Sequence, residues 1–355
     1  MIAPQLREPL RLTLAGEAVP WPALDETDAA ELAAQGMAPL IYAAARDPRL
    51  HAEALRVAAA EPLRLEDLRS VLRAIGVRAL LLKGTALAYD LYAQPEHRPR
   101  SDTDLLIARA DLPMVRKAMR DIGFEEQVSS GDDYGLRQLG YSRVDRFGVE
   151  HVYDVHWAVA NSPLFADVIR YAEVEPVPLP RIGANAYGLP RVEALLLACI
   201  HRVAHHHDQE RLIWLADIAL LRVRMSTDEH RRFWQRAAER RVLAVCRRSI
   251  EVAETWFGGD PEHGPERFLA AEQLAQDEPS RAFLDRNVTY AAETLANLRA
   301  LPWRARLVRL RQLAFPPPAF MRQVFATQSR FVLPLLYVYR GARGVARLFR
   351  RAGDL

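Results

Sequence analysis

Residues 80–107, LLLKGTALAYDLYAQPEHRPRSDTDLLI, decide the fold of this chain. The run RALLL, 78–82, predicts a buried strand, TDLLI, 103–107, predicts a second, and Ala86 to Tyr92 predicts a short helix between them. Side chains on a strand alternate faces at a rise of roughly 3.3 Å per residue, so Asp102 and Asp104 are expected on one face, about 7 Å apart at the backbone. Two carboxylates so placed can converge on one divalent cation. Gly84-Thr85 falls at the strand-to-helix turn, where a glycine permits close backbone approach and free N–H groups can meet a phosphate. Metal and phosphate side by side predict a site for a nucleoside triphosphate.

Outward from this unit, helical periodicity fills the N-terminal side from about Asp28 to Ile75, and Gly76 ends it. On the C-terminal side, Asp111 is expected to cap the helix LPMVRKAMRDI, which stops at Gly123. GLRQLGYSRVD and VEHVYDVHW then have the β-branched and aromatic content of strands. From Pro190 the character is helical: VEALLLACIHRVAHH, ERLIWLADIALLRV, HRRFWQRAAERRVLAVCRRSIEVAETWF and SRAFLDRNVTYAAETLANLRAL. The expected fold class is α+β, with a small mixed sheet at 76–189, N-terminal helices at 1–75, a helical bundle at 190–300 and a basic helical region at 301–355.

Composition excludes several classes. Of 355 residues, 50% are apolar and 26% charged, an ordinary globular balance. Cys199 and Cys246 are the two cysteines, too few for a disulfide framework, and a reducing cytoplasm is expected. Apolar runs such as FVLPLLYVY from Phe331 fall short of the roughly 20 residues of a membrane helix. The net charge of +3 conceals an asymmetry: from Leu301 onward eleven arginines face one acid, Asp354, for +10, so the rest carries −7. RARLVRLRQLAF and YRGARGVARLFRR space these arginines as an amphipathic helix would. They predict a solvated helix face or a surface that recruits an anionic acceptor.

Three blocks carry a resemblance: Lys83-Gly84-Thr85-Ala86-Leu87, then Arg98-Pro99 through Ser101-Asp102-Thr103-Asp104-Leu105-Leu106, then Tyr153-Asp154-Val155-His156-Trp157. In these the chain resembles the polymerase-β-type nucleotidyltransferase superfamily, and more narrowly the bacterial family called uncharacterised nucleotidyltransferase. Weaker similarity covers most of the chain. The first two blocks also look like those of abortive-infection nucleotidyltransferase toxins. The superfamily's loop is usually Gly-Gly or Gly-Ser, and here it is Gly84-Thr85 behind Lys83. The resemblance implies Mg²⁺ (or Mn²⁺), an NTP such as ATP, and transfer of a nucleoside monophosphate to a hydroxyl with release of pyrophosphate. A small-molecule or peptide acceptor is favoured, with a protein side chain or an RNA end as other options. A silent nucleotide-binding regulatory module and a tRNA-modifying toxin are the alternative functions.

Such a site needs a third carboxylate from an adjacent strand, and Asp154 is the candidate, with Glu150 in reserve. Asp102, Asp104 and Asp154 are therefore the expected catalytic and metal-binding residues, and Lys83, Gly84, Thr85 and Arg98 the nucleotide-binding ones. Lys83 reaches a phosphate or pairs with an aspartate of the site, and Arg98 has the fork to grip a phosphate. His156 is expected on the Asp154 face as a hydrogen-bond partner, and Trp157 in the core behind. His201 and His205 are four apart in HRVAHHHDQE, but neither an adjoining glutamate nor a cysteine cluster completes a zinc site. Asp217 sits within the apolar WLADIALL and needs a buried partner, for which His201, His205 or Arg211 are the expected choices.

Overall fold

In the computed structural model the described residues are 2–127, 137–285, 288–327, 329 and 331–348. Gly135 and Leu136 of the expected strand, and the end of the arginine-rich tail from Phe349, lie outside them. α1 (Arg7–Leu14) precedes the long N-terminal periodic run, which becomes separate helices, α2 (Glu26–Ala34), α3 (Ala38–Ala45) and α4 (Pro48–Ile75). It breaks between α2 and α3 at Gly36, φ 77°, and before Pro48 at Arg46, φ 55°. Asp47 then caps α4 by accepting from Arg49 N at 2.9 Å. Both breaks use left-handed backbone that a continuous helix cannot contain.

The sheet comprises β1 (Leu80–Leu81), β2 (Thr103–Leu106), β3 (Glu125–Glu126), β4 (Gln138–Val144), β5 (Glu150–His156), β6 (Val177–Pro178) and β7 (Tyr187–Gly188), in the order β3-β4-β5-β2-β1-β7-β6. It is mixed: β2 runs parallel to β5 and β1 to β7, while the other pairs are antiparallel. The two-residue strands β3, β6 and β7 are too short to show a period in sequence. α5 (Lys83–Asp90) follows β1, and α6 (Leu112–Asp121) follows β2. Asp111 occupies the position before α6 but makes no cap bond, because a 3-10 turn at Arg109–Asp111 already holds it at helical angles, φ −83° and ψ −9°.

Beyond the sheet come α7 (Pro163–Ala166), α8 (Arg191–Ala204), α9 (Leu212–Val223), α10 (Thr227–Glu239) and α11 (Leu243–Phe257). The run expected as one helix from His230 divides between α10 and α11 at Arg241, φ 56°. α12 (Ala271–Leu274), α13 (Tyr290–Arg299), α14 (Trp303–Ala314), α15 (Pro318–Val324) and α16 (Leu333–Leu348) complete the chain. The architecture is α+β, as the sequence predicts. No helix among the described residues is long and apolar enough to cross a membrane.

The two faces of the sheet serve different cores. Leu81, Leu105, Tyr153 and Val155 pack with Leu68, Val71 and Ile75 of α4 and Val115 and Met119 of α6. Leu80, Leu82 and Leu106 join a larger core with the N-terminal helices and α8 to α11. Alternation along β2 and β5 puts Asp104, Asp154 and His156 on this second face, under the bundle.

Candidate active site

Register builds the centre. β2 and β5 align Asp104 with Asp154, and Leu106 with His156. Ligand atoms of Asp104, Asp154 and His156 all lie within 4.8 Å of one another. Asp104 is 4% exposed, and its Oδ1 accepts from Lys83 Nζ and meets His156 Nε2, each at 2.8 Å. The partner of His156 is thus Asp104 rather than Asp154. Its other ring nitrogen, Nδ1, is buried without a hydrogen bond among the described residues. Among the described residues Asp154 has one side-chain hydrogen bond, Oδ2 accepting from Gln138 Nε2 at 3.3 Å, and across the sheet it faces Gly140, which offers no side chain. Trp157 lies on the other face of the sheet, half-buried against the α4–α6 core.

Asp102 stands just before β2, outside the set of atoms within 4.8 Å but within reach of its charges. Burial raises the Asp102 carboxyl above its ordinary range, and the charge of Asp104 adds to this against Lys83 and Arg98. Burial likewise raises Asp154, with Asp104 and Asp102 adding and His156 opposing. Burial would raise Asp104 too, but Lys83 and His156 together hold it far below the carboxylate range. Acidic charge thus exceeds its local compensation, the condition that a divalent cation relieves. The donor set, two carboxylates and an imidazole beside a third acid, fits such an ion. Glu150 begins β5, two steps before Val152 and four before Asp154, and is exposed.

The chain leaves β1 through Leu82, extended at φ −114°, and enters α5 at Lys83 in left-handed backbone, φ 46°. Lysine seldom adopts that conformation, and here it turns the ammonium onto Asp104. Lys83, Gly84 and Thr85 form the first turn of α5, where backbone N–H groups have no carbonyl four residues back. A Cβ on Gly84 would stand 2.7 Å from Arg98 NH1, so glycine is what lets the guanidinium lie against this turn. The Thr85 hydroxyl is buried and bonds Asp102 O at 3.4 Å and Thr103 Oγ1 at 3.2 Å, fastening α5 to the start of β2.

Arg98 is 6% exposed, and Asp217 of α9 holds it: Nε lies 3.3 and 3.2 Å from the two carboxylate oxygens and NH2 2.6 Å from Oδ2. Tyr92 donates to the same carboxylate at 2.9 Å. The partners expected for Asp217, His201, His205 or Arg211, are therefore replaced by Arg98 and Tyr92. A permanently charged planar fork satisfies a buried carboxylate better than a neutral imidazole does. On the other flank, Glu61 of α4 holds Arg100 through two bonds of 2.9 and 2.7 Å, and Arg64 donates to Arg100 O at 2.7 Å. Residues 98–102 are thus fastened between α4 and α9, and Asp102 is delivered from a rigid segment.

These parts face an open cleft of about 350 Å³. Lys83, Asp102 and Asp104 form its floor, Arg64 one wall, and His206, Arg211 and Trp214 another. The His206 and Trp214 rings lie 4.1 Å apart at 30°, and the Arg211 guanidinium sits 5.3 Å over Trp214. Burial, then the charge of Lys83, pushes His206 down to about 4 and His205 to about 3, so both are neutral near pH 7. Arg64, Arg211, His206 and Trp214 were not singled out for this site by sequence, because tertiary packing alone brings α4 and α9 to the strand acids.

The profile of a family described as uncharacterised nucleotidyltransferase matches residues 40–258. That span runs from α3 to just past α11 and includes every residue of the centre. No curated protein and no solved structure matches the chain.

Proposed function

We propose a reaction from one plain premise, that this chain belongs to the uncharacterised nucleotidyltransferase family and is a nucleotidyltransferase. The reaction is transfer of a nucleoside monophosphate from an NTP to a hydroxyl. The acceptor oxygen bonds the α-phosphorus, the bond from that phosphorus to the bridging oxygen breaks, and pyrophosphate leaves. The observation that carries this reading is the cross-strand pair Asp104–Asp154, with His156 within 4.8 Å and Asp102 beside them.

Asp102, Asp104 and Asp154 would hold Mg²⁺ or Mn²⁺, with His156 orienting Asp104 or completing the set. Such an ion, when bound, screens the repulsion between the attacking oxygen and the triphosphate. The amides of Gly84 and Thr85 at the start of α5 bind phosphate oxygens. Lys83, Arg64 and Arg211 supply positive charge along the cleft, and Arg98, held by Asp217, supports the Gly84 turn. Trp214 and His206 offer a flat neutral wall for the base. Gln138 occupies Asp154 Oδ2, which leaves Oδ1 to take the proton of the acceptor hydroxyl.

Calorimetry with Mg²⁺-ATP and an assay of pyrophosphate release test this division of labour. Asp104→Ala should lose nucleotide binding, whereas Asp154→Asn should keep it and lose turnover. Equal loss of binding in both would show that Asp154 serves the nucleotide rather than the acceptor.

A further inference from the structure

Beyond the end of β5 lies a second cavity. Past β5 the chain turns through Asn161 and Ser162 into α7, and the end of α8 with α13 and α14 closes over the turn. They line a cavity of about 230 Å³ that is open to solvent. Ser162 Oγ donates to Asn297 Oδ1 at 2.6 Å, which fastens α13 across the cavity.

Two connections lead from it to the reacting groups. Asp154 accepts from Gln138, whose Oε1 accepts from Asn161 Nδ2 at 3.4 Å, and Asn161 lines the cavity. His205 also lines it, and it lies close enough to Lys83, His156 and Asp104 to feel their charges. His201, one turn earlier on α8, faces the nucleotide cleft instead. The cleft thus meets Asp102 and Asp104 directly, and the cavity is linked to Asp154 through Asn161 and Gln138.

The cavity holds one group of each charge, Glu293 from α13 and Arg309 from α14. Neither forms an ion pair or side-chain hydrogen bond among the described residues, with each other or with anything else. Burial is the main reason that the Glu293 carboxyl lies above its ordinary range, with His207 opposing. Both side chains are half-buried, and two opposite charges that line one cavity without meeting are complementary to a ligand bearing both. Arg309 also belongs to the basic C-terminal region, so part of that charge faces inward.

We propose that this cavity is the acceptor subsite and that the acceptor is a small zwitterionic hydroxy compound of amino-acid type. Its ammonium meets Glu293, its carboxylate meets Arg309, and its hydroxyl reaches Asp154. The proposal rests on the nucleotidyl-transfer reading and names the substrate class for it.

The test uses the full chain with Mg²⁺-ATP and follows pyrophosphate release with matched hydroxyl compounds. They are 1,2-propanediol, ethanolamine, 3-hydroxypropionate, a zwitterionic group of L-serine, L-threonine, L-homoserine and L-tyrosine, and unfractionated tRNA. At least one zwitterion should exceed the diol, the amine and the acid by ~10-fold or more. Glu293→Gln should remove that advantage with the Kd for Mg²⁺-ATP unchanged, and Arg309→Ala should shift preference toward ethanolamine. Preference for tRNA or the diol overturns the proposal, as does inactivity of all four zwitterions in a protein that binds Mg²⁺-ATP. So does a zwitterion preference that survives both substitutions. Failure of the wild type to bind Mg²⁺-ATP at all would instead overturn the transfer reading beneath it.

Discussion

Neighbouring residues of one strand, Tyr153 and Asp154, point to opposite faces of the sheet and meet opposite fates. Behind the sheet, the Tyr153 hydroxyl donates to Asp67 of α4 at 2.7 Å. Arg143 takes the other oxygen of that carboxylate, and His151 Nδ1 lies 3.6 Å away. Every charge there has an opposite within reach. In front, Asp102 and Asp154 are pushed upward by burial and by the charge of Asp104, and Lys83 bonds Asp104. Asp104 and Asp67 are buried alike, at 4% and 6% exposed, so burial does not distinguish a structural acid from a functional one. Compensation does. A carboxylate with satisfied oxygens holds helices together, whereas a cluster left short of positive charge is poised to take a ligand that brings it.

That contrast predicts two opposite mutant classes. Asp154→Asn should reduce transfer by ~10³-fold, within the range for removal of a general base. Its melting temperature should stay level or rise, because a repelling buried charge has gone. Asp67→Ala should do the reverse. It strands Arg143 and the Tyr153 hydroxyl, a loss on the order of 3–5 kcal/mol of stability for a broken buried network, and the protein that remains folded should bind Mg²⁺-ATP as before. Urea melts and nucleotide titrations of the pair measure both. A stability loss at Asp154 equal to that at Asp67 would erase the distinction between the faces.

The centre was legible because its parts are close in sequence. Lys83 to Asp104 span one strand–helix–strand unit, and Asp154 lies on a strand whose register with β2 follows from a shared apolar alternation. Long helices were legible by period, but their breaks were not, since Arg46 and Arg241 adopt left-handed backbone that no residue type announces. The partners of Asp217 and Glu61 were hidden for a different reason. Arg98 reads in sequence as a cation for phosphate, and only the packing of α9 and α4 on either side turns it and Arg100 into buried clamps. Charge excess in the C-terminal region was plain in composition, whereas the placement of Arg309 on the cavity required the helix orientation.

A third kind of buried group sharpens the comparison further. His230 of α10 is 2% exposed, and its Nε2 lies 3.1 Å from Arg222 O. Burial, then the neighbouring His263 and Arg222, pushes it down to about 4. A histidine with a folded value below its unfolded 6.5 contributes stability above pH 6.5 and loses it as pH falls toward 4, because the unfolded chain binds the proton first. At pH 5 this one group should cost ~2 kcal/mol relative to pH 7. His230→Gln should flatten the fall in melting temperature between pH 7 and pH 5 by that amount. An unaltered slope would show that acid sensitivity arises elsewhere.

The smallest expected effect lies at the wall of the nucleotide cleft. Trp214 borders the cleft and packs on His206, which burial keeps neutral, so the pair presents a flat surface that neither repels nor specifically attracts the triphosphate. Stacking of one base on an aromatic ring is worth ~1–3 kcal/mol, so Trp214→Ala should raise the KM for ATP by ~10-fold, with kcat changed ~3-fold or less. The position also carries Arg211 at 5.3 Å, and a collapsed wall would disturb that cation as well. Inorganic tripolyphosphate separates the two effects, because it has the charge of the nucleotide and no base. If the ring holds the base, Trp214→Ala should weaken ATP while leaving tripolyphosphate binding as it was, and Trp214→Phe should restore most of the loss. Equal weakening of both ligands would assign Trp214 to holding Arg211 and the shape of the cleft.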